Sequence, residues 1–129
     1  MLLRGIFAGV VFLSTAALAD DFVSRVAAAE RASSTPQGKK YDDSLGPAAD
    51  AAIRTCVPPG SLSQAHRGKF KLVGYVADSG VISAVEVQPE TEVSVCFAKH
   101  FAQTRFAPPP ESGSSTSGFP ITVEMSVLP

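Results

Sequence analysis

Alternating apolar and polar residues predict a β-hairpin between residues 69 and 88. The first strand, residues 69–77, presents one face made of Phe70, Leu72, Gly74 and Val76. The turn Asp78-Ser79-Gly80 follows, and a three-residue connection that ends in glycine is typical of a hairpin with a glycine bulge. The second strand has an inward face made of Val81, Ser83, Val85 and Val87 and an outward face made of Ile82, Ala84, Glu86 and Gln88.

Two segments on either side of this hairpin have the spacing of amphipathic helices. The apolar stripe of the first consists of Leu45, Ala48, Ala49, Ala52, Ile53 and Cys56, and Pro58-Pro59-Gly60 is expected to end that helix. The helix begins near Asp42 and Asp43, or at Leu45 or later, because Pro47 is tolerated only in a first turn. The stripe of the second, after Pro89, consists of Val93, Cys96, Phe97, His100, Phe101 and Thr104. Pro108 is expected to stop the second helix.

A last strand is predicted for residues 119–127, after a Ser/Gly loop from Ser112 to Gly118. The core order is therefore helix, strand, strand, helix, strand. Right-handed crossover favours insertion of the first strand between the second and the third. We expect an α+β fold with a three-stranded antiparallel sheet in the order 2-1-3 and two core helices on one face. The side chains left on the solvent face are Thr122, Glu124, Ser126, Lys69, Lys71, Glu86 and Gln88.

The N-terminal residues predict a secretory signal peptide. Arg4 precedes an apolar run from Gly5 to Ala17, and the small-residue site Ala17-Leu18-Ala19 stands before acidic Asp20. Cleavage is expected after Ala19, which places the protein in the periplasm. The alternative is a retained membrane anchor, but the apolar run is shorter than the roughly 18–20 residues that a membrane-spanning helix needs. We expect no membrane span after cleavage.

The chain divides into three predicted parts: a signal peptide at 1–19, an N-terminal helix and linker at 20–41, and the core domain at 42–129. Residues 22–32 have helical spacing and are expected to form a short, loosely held helix, followed by a polar linker at 33–40. Cleavage leaves 110 of the 129 residues, which suits one core. Those residues carry 12 acidic and 10 basic side chains, so nucleic acid is not an expected partner.

The chain has two cysteines, Cys56 and Cys96, and both lie in the exported part. Because that compartment is oxidising, we expect a Cys56–Cys96 disulfide. The alternatives are two buried free thiols, or a metal site that uses Cys96 and His100 on one helical face. A metal site is less favoured, because a closed zinc site needs four ligands.

Residues that could support catalysis are few. His66 lies in a polar loop, His100 borders an apolar stripe, and the serines between Ser112 and Ser117 have no glycine-serine-glycine elbow. The acidic residues Glu86, Glu90 and Glu92 border a strand and open a helix, where acids usually serve solvation and the helix dipole. We therefore expect no enzyme, no cofactor and no metal.

The element order and the run Thr104-Arg105-Phe106-Ala107-Pro108-Pro109 resemble the C-terminal domain of TonB and TolA-like periplasmic proteins over about residues 45–127. In that family a glycine-turned hairpin lies beside a helix that ends in an aromatic, arginine, phenylalanine and proline run. Thr104 stands where the aromatic residue is usual, and the family's upstream tyrosine-proline pair is missing, with Tyr41 displaced. A TonB energy transducer also carries an N-terminal anchor and a long proline-rich span. The resemblance therefore implies a stand-alone relative that does not transmit force.

The resemblance also implies a partner, because the family uses its last strand to pair with short peptide segments. A three-stranded sheet with helices on one face exposes two edges to which a peptide can add a strand. We expect a periplasmic or outer-membrane protein or peptide to dock along the last strand at Pro120, Thr122, Glu124 and Ser126. Two alternatives remain: an edge that is merely tolerated, and a periplasmic inhibitor or immunity protein that blocks an exported hydrolase through the loop Pro108 to Gly118.

Overall fold

One antiparallel sheet with helices on both faces forms the protein. The computed structural model describes residues 16–57, 68–111 and 117–127. Its elements, in chain order, are α1 (Ala16–Ala32), α2 (Pro36–Asp43), α3 (Gly46–Cys56), β1 (Gly68–Val76), β2 (Ile82–Gln88), α4 (Glu92–Ala102) and β3 (Phe119–Val127). The strand order is β2-β1-β3, and both pairings are antiparallel. The predicted α+β class and strand order are confirmed.

The main core lies between the sheet and the pair α3 and α4. Phe97 and Phe101 of α4 are fully buried and stack with ring centroids 5.5 Å apart. Phe70 of β1 meets Phe97 edge to face at 5.2 Å, and Leu72 is also fully buried. The aromatic stripe predicted for the second core helix therefore packs on the predicted inward face of the first strand.

Helix α4 begins at a capping box and ends earlier than predicted. The Thr91 side chain accepts a hydrogen bond from the Ser94 amide, and the Ser94 side chain accepts one from the Thr91 amide. The helix ends at Ala102, so Thr104 is not part of it. The following segment leaves the helical path because the Phe106 amide donates to the Gly80 carbonyl at 2.9 Å, across the chain at the hairpin turn.

A bulge in β2 changes the predicted faces of that strand. Ala84 has a φ of 52°, and the β1–β2 register shifts between Val73 and Tyr75. The extra residue of a bulge shifts the alternation of side chains by one position. Residues before and after the bulge therefore do not follow a single inward and outward pattern. Ile82 is consequently buried, as is Val87, whereas Val81 is 46% exposed. The prediction that placed Val81 inward and Ile82 outward is wrong for this reason.

Part of the segment predicted as a linker is the helix α2. The Thr35 side chain caps it by accepting a hydrogen bond from the Gly38 amide at 3.0 Å, and Pro36 occupies the first turn. Gly38 is required there, since a Cβ on it would lie 1.9 Å from the Ala32 carbonyl oxygen. Tyr41 is buried, and its hydroxyl donates to the Ala107 carbonyl at 2.9 Å. Helix α3 then starts with Gly46, which agrees with the later of the two predicted starts.

Helix α1 covers the face of the sheet opposite α3 and α4. Phe22 and Ala29 of α1 are buried, and so is Val73, which alternates with the core residues of β1. The expectation of a loosely held helix is therefore wrong, because α1 has its own buried contacts with the sheet. Residues 1–15 of the predicted signal peptide lie outside the described residues, and the predicted cleavage point after Ala19 falls within α1. Within the described ranges, no helix has the length and apolar character needed to cross a membrane.

Candidate functional site

The outer side of β3 is a free edge of the sheet. β3 pairs with β1 in an unbroken antiparallel register that runs from Phe119 opposite Val76 to Val127 opposite Gly68. Among residues 16–57, 68–111 and 117–127, no strand pairs with its other side. Backbone donors and acceptors along that side are therefore left without a ladder partner in this part of the chain.

The register determines which residues of β3 direct their backbone groups to the free edge. In an antiparallel ladder the amide and carbonyl of one residue point to the same side, and successive residues alternate. The Ala77 amide donates to the Val81 carbonyl at 2.9 Å, so the backbone groups of this odd-numbered residue point toward β2. By alternation, the backbone groups of the even-numbered residues of β1 point toward β3. Gly118 agrees with this, since a Cβ there would lie 2.7 Å from the Val76 carbonyl oxygen.

The outward positions are those of the predicted docking residues. The even-numbered residues of β1 have as partners Phe119, Ile121, Val123, Met125 and Val127. The residues between them direct their backbone groups outward, and these are Pro120, Thr122, Glu124 and Ser126. Pro120 fits such a position because it has no amide to donate to the ladder. The amides of Thr122, Glu124 and Ser126 consequently form an outward row of donors.

A groove runs beside this edge, between β3 and the start of α3. Its volume is about 340 Å³, and it is lined by Asp42, Leu45, Gly46, Ala49, Asp50, Thr122, Val123, Glu124 and Met125. Leu45 and Ala49 lie one turn apart on α3 and its N-terminal flank, and both are largely buried. Val123 and Met125 are partly buried against the same core. The groove thus has an apolar floor next to a row of free backbone groups, an arrangement that suits strand addition.

Among the residues that the structure describes, the charged ones that line the groove are all acidic: Asp42, Asp50 and Glu124. Burial raises the pKa of the Asp42 carboxyl, and the neighbouring Asp43 carboxylate raises it further, while Lys39 acts in the opposite direction. Asp50 lies 3.5 Å from the Arg54 guanidinium, and both side chains are exposed.

The three carboxylates approach the edge from two sides. Asp42 and Asp50 belong to the helical wall, whereas alternation directs the Glu124 side chain to the face opposite Val123. On that face Glu124 lies opposite Lys71 of β1. Thr122 Oγ1 is buried and has no hydrogen-bond partner within the described ranges. A segment added to β3 would therefore meet carboxylates on both of its faces.

Cys56 and Cys96 form the expected disulfide, which joins the end of α3 to α4 with a Cα–Cα distance of 5.8 Å. His100 lies one turn beyond Cys96, and its imidazole is within 4.8 Å of both sulfur atoms. The sulfurs are bonded to each other, so the free-thiol alternative is wrong and the pair is not available to a metal in this state.

Of the acidic residues considered for catalysis, Glu86 and Glu90 line the same cavity, between α1 and β2. Glu86 pairs with Arg25 of α1 at 3.5 Å, and Glu90 and Glu92 are exposed. His66 and residues 112–116 of the serine-rich loop lie outside the described residues, as does the helix stop at 58–60. Among these candidates, Glu86 therefore has an ion-pair partner in Arg25.

A second cavity of about 990 Å³ lies between α1 and β2, on the opposite face of the sheet. Its apolar wall includes Phe22, Val26 and Val87, and Val23 at its rim is 66% exposed. Neither this cavity nor the helical wall of the β3 groove was predicted from the sequence. The signal for the helical wall was present in Leu45 and Ala49, but these apolar residues were assigned to the core alone.

No protein-family model, curated protein or solved structure matches the chain significantly. The resemblance to the TonB C-terminal domain rests, then, on the element order and on the residues named above.

Proposed function

We propose that this chain is an exported, periplasmic protein- or peptide-binding module that engages its partners through the free edge of β3. It is neither an energy transducer nor an enzyme. The partner, a periplasmic or outer-membrane protein or peptide, adds an extended segment to β3, and the affinity comes mainly from main-chain hydrogen bonds. The observation that carries this proposal is the outward row of amides at Thr122, Glu124 and Ser126 beside the groove.

The fold supports the proposal in a second way. Long free edges are a liability in soluble proteins, which usually blunt them with charges, prolines or covering segments. β3 has such features only in part: Pro120 lies near its start and Glu124 near its middle. The resemblance to the TonB C-terminal domain points to the same strand, since that family docks short segments there.

Export is the second part of the proposal, and it rests on the Ala17-Leu18-Ala19 site and on the disulfide. A disulfide that closes a long loop is typical of proteins from oxidising compartments. The intact mass of the protein recovered from the periplasm tests this part. A mass that corresponds to a chain starting at Asp20 supports export, and a retained N-terminus contradicts cleavage at that site.

A proline in place of an outward amide tests the docking edge. In Glu124→Pro the fold should persist, because the lost amide makes no ladder bond. The measurement is capture of partners from periplasmic extract by the tagged protein, with mass spectrometry, beside thermal unfolding. We expect the captured partner to be lost, and the thermal midpoint to stay within about 4–8 °C, the shift that ~1 kcal/mol produces in a domain of this size.

Glu124→Gln is the matched control, because it keeps the amide and removes only the charge, so any loss of binding should be modest beside that of Glu124→Pro. A second pair, Thr122→Pro and Thr122→Val, repeats the comparison at the neighbouring outward position. Partner binding that survives in both folded proline variants overturns docking at β3. In that case a deletion within Pro108 to Gly118 becomes the decisive variant, since the inhibitor alternative uses that loop.

A further inference from the structure

We infer that the segment which docks on β3 is cationic, with lysine or arginine side chains that reach Asp42, Asp50 and Glu124. This inference rests on the proposed function and adds the chemical class of the partner. Its basis is the composition of the groove: three carboxylates line it, and no lysine, arginine or histidine is among its described lining residues.

The arrangement of the groove suits the shape of a basic side chain. Leu45 and Ala49 provide an apolar floor, and Asp42 and Asp50 lie on the same helical wall. Lysine and arginine bury their aliphatic stems against apolar surface while their charged ends reach polar groups. A basic side chain on the groove-facing side of the added strand can therefore cover the floor and place its charge beside Asp42. It can also approach Asp50, whose carboxylate lies 3.5 Å from the exposed Arg54 guanidinium.

The opposite face of the added strand meets Glu124. Opposite charges on neighbouring strands stabilise a pair, and like charges destabilise it. Glu124 is exposed, and its cross-strand neighbour on β1 is Lys71. The two side chains form no ion pair within 4 Å in the described structure. A basic residue beside Glu124 on the added strand therefore gives Glu124 a cross-strand partner of opposite charge on this face.

The local field adds to the attraction. Asp42 is followed directly by Asp43, and burial together with that carboxylate raises the pKa of Asp42. A partly buried carboxylate with an acidic neighbour is stabilised by a cation that approaches it. Lys39 is already engaged with Asp43 at 3.7 Å. Lys39 also lowers the pKa of Asp42, but burial and Asp43 outweigh it, so an incoming basic side chain still stabilises the Asp42 carboxylate.

The same charges disfavour a second copy of the chain as the occupant. Pairing of β3 with β3 about a two-fold axis repeats every carboxylate of the edge on both sides of the interface. Glu124 of each copy then lies near its counterpart or near the acidic groove of the other copy, where like charges repel. The groove therefore selects against self-pairing and for a partner of opposite charge.

Selection from a random peptide library tests the inference even though the natural partner is unidentified. The full chain, recovered after export, is presented to a phage library of strand-length peptides, and the enriched peptides are compared with the unselected library. We expect lysine and arginine to be enriched severalfold and aspartate and glutamate to be depleted. Binding of a selected basic peptide, measured by fluorescence anisotropy, should weaken when ionic strength is raised from about 0.05 to about 0.5 M.

Three variants separate the contribution of the charges from that of the strand edge. The triple variant Asp42→Asn, Asp50→Asn, Glu124→Gln should bind the selected basic peptide roughly tenfold more weakly, because exposed charge pairs each contribute modestly. Glu90→Gln, an exposed charge outside the groove, should leave the affinity unchanged. Glu124→Pro should abolish selection altogether.

Each result decides one of the two proposals. Enriched peptides that are neutral or acidic, and that are lost in Glu124→Pro, overturn the cationic inference while strand docking stands. Enrichment of sequences like β3 itself overturns it in favour of self-pairing. If no peptide is enriched, or if Glu124→Pro enriches the same peptides as the parent chain, docking at β3 fails and the inference fails with it.

Discussion

The Arg25 guanidinium of α1 donates a hydrogen bond to the carbonyl of Ala84, the bulged residue of β2. The same side chain lies 3.5 Å from Glu86 and stacks over the Tyr75 ring at 4.8 Å, and it is only 8% exposed. One arginine thus ties the N-terminal helix to both strands of the hairpin. A bulge that has a positive φ at a non-glycine residue is held by this contact across the chain.

Replacement of Arg25 should loosen α1 from the sheet. In Arg25→Ala the Ala84 carbonyl loses its charged donor and the Tyr75 ring loses its cation, which should cost about 2 kcal/mol of unfolding free energy. Urea denaturation followed by circular dichroism measures it. Arg31→Ala is the control, since Arg31 is exposed on the same helix. Equal effects of the two substitutions contradict a specific role of Arg25.

Truncation of Phe101 should be among the most damaging single changes in the core. Phe101 is fully buried between Phe97 and Phe106, whose ring centroids lie 5.5 and 5.0 Å away. Phe101→Ala should lower the unfolding free energy by about 3–5 kcal/mol, through lost burial and the cavity that remains. Val95→Ala on the exposed side of α4 should change it little. A thermal midpoint that does not move in Phe101→Ala contradicts this account of the core.

Removal of the disulfide should destabilise the protein through the unfolded state. The Cys56–Cys96 bridge spans 40 residues of sequence, and the chain-entropy model assigns such a loop about 4 kcal/mol. The double variant Cys56→Ser, Cys96→Ser should unfold at correspondingly lower urea concentration. Reduction of the parent chain by a phosphine serves as the control and should produce a similar loss. Unchanged stability in both cases contradicts the prediction.

The carboxyl of Asp42 should reduce stability at neutral pH. Its pKa is raised in the folded chain, chiefly by burial, so the folded state binds the proton more tightly than the unfolded state does. Stability therefore falls as pH rises through the window between the unfolded and folded pKa values, and the penalty persists above it. Asp42→Asn should raise the thermal midpoint at about pH 7 and give no such gain near pH 3, below the ordinary aspartate pKa.

Glu90→Gln is the control for this pH dependence, because Glu90 is exposed and lines the cavity beside α1 instead of the β3 groove that contains Asp42. Its thermal midpoint should follow that of the parent chain at both pH values. A gain in Asp42→Asn that is the same at both pH values indicates a helix-propensity or packing effect instead. A gain confined to neutral pH shows that the charge of Asp42 lowers the stability of the folded chain. The same charge is the one that the proposed binding in the groove uses.

Local patterns predicted much of the main core. Phe97 and Phe101 recur at helical spacing, and Phe70, Leu72 and Val76 alternate along one strand, so their burial follows from the period of each element. The prediction failed where the backbone departs from a regular period. The bulge at Ala84 reversed the predicted faces of Val81 and Ile82, and no pattern in the sequence predicts that bulge.

The free edge was predicted, but the groove beside it was not. Right-handed crossover favours insertion of β1 between β2 and β3, so the expectation of a free edge on β3 follows from the element order. The helical wall depends on where α2 and α3 meet, at Asp42 and Leu45. That junction is held by contacts remote in sequence, such as the Tyr41 hydroxyl on the Ala107 carbonyl.

The sequence by itself determined the strands, the amphipathic helices, the disulfide and the order of the sheet, because each depends on residue periodicity or on a small choice of partners. Only the tertiary structure decided that α1 covers the second face, that residues 36–43 are helical, and that acidic residues line one edge. Those features depend on contacts between distant segments, Arg25 with Ala84 above all. Short-range propensity leaves the alternative conformations nearly equal in free energy, and contacts between distant segments stabilise one of them. Which conformation forms is therefore seen only in the folded chain.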